Sequence, residues 1–127
     1  EVFEPGGSTP LMSSTSPLDA TGGYQVTTAL PIGTYDVRAK STHWLAARNG
    51  SVTLTGADTT GLDFGLLNGD VDGDNVVTVF DYARLSNAFD TMPGDAGWDS
   101  MADLDGDEAV TVFDYAILSN NFDEVGD

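Results

Sequence analysis

Twenty residues, DVDGDNVVTVFDYARLSNAF from Asp70 to Phe89, recur as DLDGDEAVTVFDYAILSNNF from Asp103 to Phe122. Without a gap, 15 of the 20 positions are identical, and the copies start 33 residues apart. Each copy is an acidic loop that runs into an apolar helix. One such unit has too little surface to bury its own apolar stripe, so the duplication predicts two helices that share one small core.

The acids fall at regular intervals. Asp70, Asp72 and Asp74 occupy positions 1, 3 and 5 of the first loop, Val76 position 7, Thr78 position 9 and Asp81 position 12. The second loop repeats this with Asp103, Asp105, Asp107, Ala109, Thr111 and Asp114. A twelve-residue calcium loop has this spacing: alternate side chains turn inward, position 7 offers its carbonyl, and position 12 closes the shell from the next helix. With no His or Cys among the donors, hard oxygen ligands favour calcium over transition metals, and two ions are expected. Aspartate at position 12, where an EF-hand has glutamate, brings the helix start closer to the ion. Position 6 is Asn75 or Glu108 where glycine is usual; asparagine tolerates positive φ better than glutamate, so the second loop is predicted to be the more strained.

Charge agrees with this reading once it is divided. Residues 1–68 hold six acids and three bases, whereas residues 69–127 hold fifteen acids and only Arg84. Nucleic acid is excluded as a partner, since phosphate binding requires clustered Lys and Arg. A domain of about sixty residues with so many carboxylates repels itself unless cations neutralise it. The absence of cysteine removes disulfides, thiolate metal sites and cysteine nucleophiles. No apolar run is long enough to insert in a membrane, and residues 1–20 lack the pattern of a signal peptide. A first residue of Glu1 predicts a processed chain or a piece of a longer one.

At 100° per residue, Tyr82, Leu85 and Phe89 share a helix side, as do Tyr115, Leu118 and Phe122. These stripes are predicted to pack across a pseudo-twofold axis, joined by Val77 and Val110. The opposite faces carry Phe80, Ala83, Arg84 and Asn87 in one copy and Phe113, Ala116, Ile117 and Asn120 in the other. Outward phenylalanines of this kind mark a protein interface. Trp98, in the connector DTMPGDAGWDSMADL, is expected to pin that connector to the helices.

Together GDVDGDNVVTVFDYARLSNAF and ADLDGDEAVTVFDYAILSNNF resemble the duplicated segments of a type I dockerin over residues 69–123. The resemblance implies a secreted or cell-surface module that folds around two calcium ions and plugs into a cohesin domain of another protein. It further implies that partner choice is read at Val79 and Phe80 with Ser86 and Asn87, and at Val112 and Phe113 with Ser119 and Asn120. Many dockerins carry Ser or Thr where this chain has Val-Phe. Near-identity of the copies implies that one cohesin binds in two orientations, with Arg84 against Ile117 as the main break in symmetry.

Residues 1–68 read differently. YQVTTALPIGTYDVRAKS alternates Tyr24 and Val26, then Tyr35, Val37 and Ala39, around a turn at Pro31 to Gly33, and SVTLTG and GLDFGLL add two short strands. This pattern predicts an antiparallel, Ig-like or prealbumin-like β-sandwich, with a first strand cut short at EVFEPGG. LPIGTYDV resembles the strand-turn-strand of carboxypeptidase-regulatory-like domains, and its place before a dockerin resembles that of an X module. LDFGLLNGDVDGD runs from the last strand into the first loop with no linker between them. The fold class expected is therefore mixed: an all-β unit at 1–68, then a small all-α module with two EF-hand-like motifs at 69–127.

Catalysis finds no support in the sequence. The one histidine, His43 in STHWLAA, has no nucleophile elbow beside it, and the carboxylates are committed to loop spacing. Carbohydrate binding through Tyr24, Tyr35 and Trp44 is disfavoured, because alternation puts both tyrosines with Val26 and Val37 on the core face. The expected function is a calcium-dependent adaptor that attaches a larger secreted protein to a cohesin. Its competitor is a calcium-stabilised structural terminus whose helix faces are covered by its own β unit.

Overall fold

The computed structural model describes all 127 residues. It contains strands β1 (Val2–Phe3), β2 (Pro10–Met12), β3 (Gly33–Ser41) and β4 (Trp44–Leu54), then helices α1 (Val79–Ala88) and α2 (Val112–Asn120). The chain divides into two compact units. The first is Glu1–Ala39 with Arg48–Phe64, and the second is Lys40–Ala47 with Gly65–Asp127.

The expected β-then-α order is present, and the β part is one four-stranded sheet in the order β2-β1-β3-β4. Within it β1 lies antiparallel to both β2 and β3, with Val2 opposite Val37 and Phe3 opposite Asp36. The strands predicted at 24–27 and 61–67 do not form, and the hairpin turn falls at Thr42 and His43, where a turn at Pro31 to Gly33 was expected. The reason is occupancy: β1 takes one edge of β3 and β4 takes the other, so the segment from Tyr24 finds no free edge on β3, the strand it was expected to pair with. It is held by side chains, with the Tyr24 ring 6.3 Å from that of Phe64 and its hydroxyl donating to the Leu62 carbonyl.

Phe3 is the centre of the first unit, 2% exposed, with the guanidiniums of Arg48 and Arg38 at 4.5 and 5.5 Å from its ring centroid. Glu1 pairs with Arg38 at 2.6 Å and ties the first strand to β3. Asp36, itself buried, accepts the Gly6 and Ser51 N–H groups and pairs with Arg48 at 3.1 Å. Those two backbone hydrogen bonds first, and Arg48 after them, hold its carboxyl below the ordinary range against the opposing effect of burial.

The second unit is built as the duplication predicts. Thr78 and Thr111 are the N-caps of α1 and α2, and each forms a reciprocal capping box with the aspartate three residues on, Asp81 or Asp114. Leu85, Leu118, Val71, Val77, Val110, Ala88, Ala102 and Leu104 bury together, joined by Leu45 from the β3–β4 hairpin. Burial of a leucine such as Leu85 or Leu118 stabilises by about 1.5–3 kcal/mol.

Each loop is locked by the exit of the other copy's helix. Val77 donates to Glu124 and accepts from Asp123, both at 2.9 Å. Val110 donates to Thr91 at 3.0 Å and accepts from Asp90 at 2.9 Å. Asp90 and Asp123, at φ 62° and 67°, turn the chain after each helix to make these pairs.

The tyrosine stripe is only half buried. Leu85 and Leu118 are enclosed, while Tyr82 and Tyr115 meet edge to face at 5.6 Å and leave their outer edges in solvent, as do Phe89 and Phe122. Trp98 and Met101 of the connector pack on the core as expected for Trp98.

Candidate metal centre and interaction face

The acidic loops start from the two buried capping aspartates. Asp81 Oδ1 accepts the Asp72 N–H at 2.9 Å while its Oδ2 accepts the Thr78 N–H at 2.7 Å, so the helix cap and the loop share one carboxylate. Asp114 does the same with Leu104 at 2.6 Å and Thr111 at 2.7 Å. At position 1, Asp70 accepts from the N–H groups of Gly73 and Asn75, and Asp103 from those of Gly106, Asp107 and Glu108. These bonds wrap each loop around its first carboxylate.

Asp70, Asp72 and Asp81 consequently offer carboxylate oxygens that all lie within 4.8 Å of one another, and Asp103, Asp105 and Asp114 form the same group in the second loop. Asp74 and Asp107 stand outside these clusters; their carboxylates accept the N–H groups of Val76 and Ala109. Thr78 and Thr111 are engaged as helix caps, and Val76 forms a bridge with Val125. Asp72 and Asp105 have carboxyls pushed above the ordinary range, by loss of hydration first and by the neighbouring carboxylates after it. All-oxygen donors of like charge, gathered this closely, fit a hard divalent cation.

Asn75 and Glu108 at position 6 both take positive φ, 73° and 68°. Asn75 has a compensating role that sequence reasoning missed. Its Oδ1 accepts the Ala46 N–H at 2.7 Å, its Nδ2 donates to Asp127, and its carbonyl accepts from Gly126 at 2.9 Å. The hairpin tip at 40–47 was also missed as part of this unit. His43 contributes its carbonyl to the N–H groups of Gly69 and Asp70, and Leu45 donates to Leu67. The one available signal was the unbroken apolar run of Trp44, Leu45 and Ala46, which departs from strand alternation. Burial first, and Lys40 in the same direction, lower the His43 pKa against the pull of Asp103, Asp114 and Asp70.

On the outward face, Val79, Phe80, Ala83, Ser86 and Asn87 of α1 are exposed, as are Val112, Phe113, Ala116, Ser119 and Asn120 of α2. Phe80 and Phe113 stand 67% and 66% exposed. Arg84 and Ile117 differ from the rest. Arg84 is half-buried and ion-paired to Asp99 at 2.6 Å, and Ile117 packs against the core. Burial alone would raise the Asp99 carboxyl, but the Arg84 hydrogen bonds bring it below the ordinary range. Of the two tyrosines expected on the core face, Tyr35 is buried and its hydroxyl donates to the Pro31 carbonyl, whereas Tyr24 is 41% exposed, because its segment joins no strand.

Two loop-helix copies that spend their carboxylates on loop and cap, and present a matched apolar face, define a non-catalytic interaction module. Residues 68–123 match the family model described as dockerin type I domain. The fold recurs in a C-terminal interface mutant of a type II cohesin–X-dockerin complex from Acetivibrio cellulolyticus, with 25% identity and a TM-score of 0.72. An N-terminal interface mutant of the type II complex from the same organism gives 26% and 0.70. Each match covers 86% of this chain and 74% of the solved one. No curated protein matches. The resemblance to a type I dockerin, read from the duplicated segments, and that of the preceding β unit to an X module, read from its place in the chain, therefore hold.

Proposed function

We propose that this chain is a calcium-dependent adaptor whose second unit docks into a cohesin domain, with the β unit as its companion, and so tethers a larger secreted protein to a complex or cell surface. The cohesin–X-dockerin assemblies that share the fold support the partner class. The observation that carries the reading is the matched exposure of Phe80 and Phe113 at equivalent places of the two copies. Large aromatics left in water on both helices are the anchors that protein interfaces bury.

In this reading Asp70, Asp72 and Asp81 hold one calcium ion and Asp103, Asp105 and Asp114 the other. Asp74, Asp107, Thr78, Thr111 and the carbonyls of Val76 and Ala109 complete the shells. Bound calcium supplies positive charge where carboxylates crowd, and the chain fixes those carboxylates through the capping boxes and loop N–H groups. Each helix thereby starts from a metal ligand, which sets the position of the next residues, Val79-Phe80 or Val112-Phe113. Partner contacts extend to Ala83, Ser86, Asn87, Ala116, Ser119 and Asn120. Arg84 and Ile117 act from the margin, since Asp99 and the core engage them.

The test is binding of the chain to a panel of immobilised type I and type II cohesins, in calcium and after EDTA. We expect one class to be captured in calcium and released by EDTA. Replacing both Phe80 and Phe113 with Asp is expected to weaken capture at least 100-fold, because losing two anchors costs about 2 kcal/mol or more each. Each single variant is expected to lose less, since the other copy's face remains. Undiminished capture by the double variant would place the interface elsewhere.

A further inference from the structure

The two loops are near copies, yet they differ in one contact. Lys40 Nζ donates to Asp70 Oδ2 at 2.6 Å, and Asp70 is fully buried. The same ammonium is fixed in place by the carbonyls of Trp44 at 2.8 Å and of Ser41 and Thr42 at 3.2 Å each. Asp103, the equivalent carboxylate of the second loop, accepts only backbone N–H groups. The chain's other basic side chains are engaged elsewhere, Arg38 with Glu1, Arg48 with Asp36 and Arg84 with Asp99.

We propose that Lys40 is a built-in counter-ion for the first loop, which stabilises that loop without metal and lowers its calcium affinity, so that the second loop fills first. This rests on the calcium reading of the loops. A unit positive charge held by four oxygens at position 1 neutralises part of the repulsion among Asp70, Asp72 and Asp81 when no ion is bound. The same charge repels a divalent ion bound by those carboxylates. Lys40 is part of the hairpin tip, so the device links the first loop to the β3–β4 turn; the duplicated segment carries no such residue of its own. The second loop, with no cation at Asp103, keeps the full attraction of its carboxylates.

The experiment is a calcium titration of the whole chain at pH 8, where His43 is neutral, followed by NMR at the Gly73 and Gly106 amides. These glycines stand at position 4 of the two loops and report each one separately. In the wild type, Gly106 is expected to saturate at lower calcium than Gly73. Lys40→Met is expected to raise affinity at Gly73 by roughly 5- to 20-fold, a range set by a partly exposed charge at this distance. Gly106 is expected to move by less than about twofold, because the change lies outside its loop. The calcium-free melting temperature of this variant is expected to fall.

Lys40→Arg, which keeps the charge, is expected to leave the Gly73 affinity within about twofold of wild type. A similar gain with Arg, an unchanged or weakened Gly73 affinity with Met, or a Met variant that melts no lower without calcium would each overturn the proposal. If neither glycine responds to calcium in the wild type, the failure is that of the calcium reading itself.

Discussion

Position 6 of the two loops makes the same backbone demand on two different side chains. Both Asn75 and Glu108 adopt the left-handed backbone that position 6 of a loop with this spacing requires, at φ 73° and 68°. For Glu108 this is strain that no side-chain hydrogen bond or ion pair offsets, and its side chain is exposed. Glycine there relieves about 1–2 kcal/mol of backbone strain and returns part of it as chain entropy. Glu108→Gly is therefore expected to stabilise the calcium-loaded chain by about 0.5–1 kcal/mol. Asn75→Gly is expected to act in the opposite direction. It removes the acceptor for the buried Ala46 N–H and the donor to Asp127, at a cost of about 1–3 kcal/mol. Urea midpoints of the two variants, read by tryptophan fluorescence in saturating calcium, should move apart; a shift of both in one direction would refute the assignment.

Among the elements, the helices were legible because their apolar period is local, whereas their caps were not, since Thr78 and Thr111 read as loop ligands and the structure makes them N-caps. The period of Leu85 and Leu118 gives the buried side of each helix, and the apolar run that follows each acidic loop gives its place in the chain. The β unit was less legible. Alternation correctly found β3 and a buried Tyr35, but alternation alone cannot say which strand wins an edge, and β1 took the one that the segment from Tyr24 would have used. Least visible was the crossing of loop and helix exit, since the bonds of Val77 to Asp123 and Glu124 are backbone bonds between residues about 46 positions apart that any side chains could make. This crossing yields a directional prediction. Removal of Phe122–Asp127 takes away the partners of Val77, the donor to the Asn75 carbonyl and the Asp127 contact with Ala46. The first loop is then expected to loosen while the second, which is locked by Asp90 and Thr91, stays formed. In amide spectra with calcium, Gly73 should broaden or shift toward a random-coil position and Gly106 should remain dispersed. Equal loss at both glycines would show that the two loops fold as one indivisible block.

For the molecule as a whole, the decisive quantity is where the charge sits. Of the formal −17, the second unit carries −13, from fifteen carboxylates against Lys40 and Arg84. The first unit carries only −4 and pairs its acids Glu1 and Asp36 with arginines. Like charge at that density opposes compaction of the second unit, and salt and calcium relieve it by different means: salt screens every pair, whereas an ion in a loop acts at the carboxylates that stand closest. Two calcium ions would bring −13 to −9 and remove the shortest repulsions, the ones among oxygens within 4.8 Å. In EDTA, raising sodium chloride from about 10 mM to about 1 M shortens the screening length from about 30 Å to about 3 Å, and the melting temperature is expected to rise by about 5–10 °C, equivalent to about 1–2 kcal/mol for a unit of this size. In saturating calcium the same change of salt is expected to move it by less than half as much. Both tryptophans, Trp44 and Trp98, belong to the second unit, so their emission follows its melting without interference from the first. Equal salt slopes with and without calcium would mean that the repulsion is spread over the surface of the unit, and the loops would then owe their shape to the capping boxes and helix exits more than to the relief of charge.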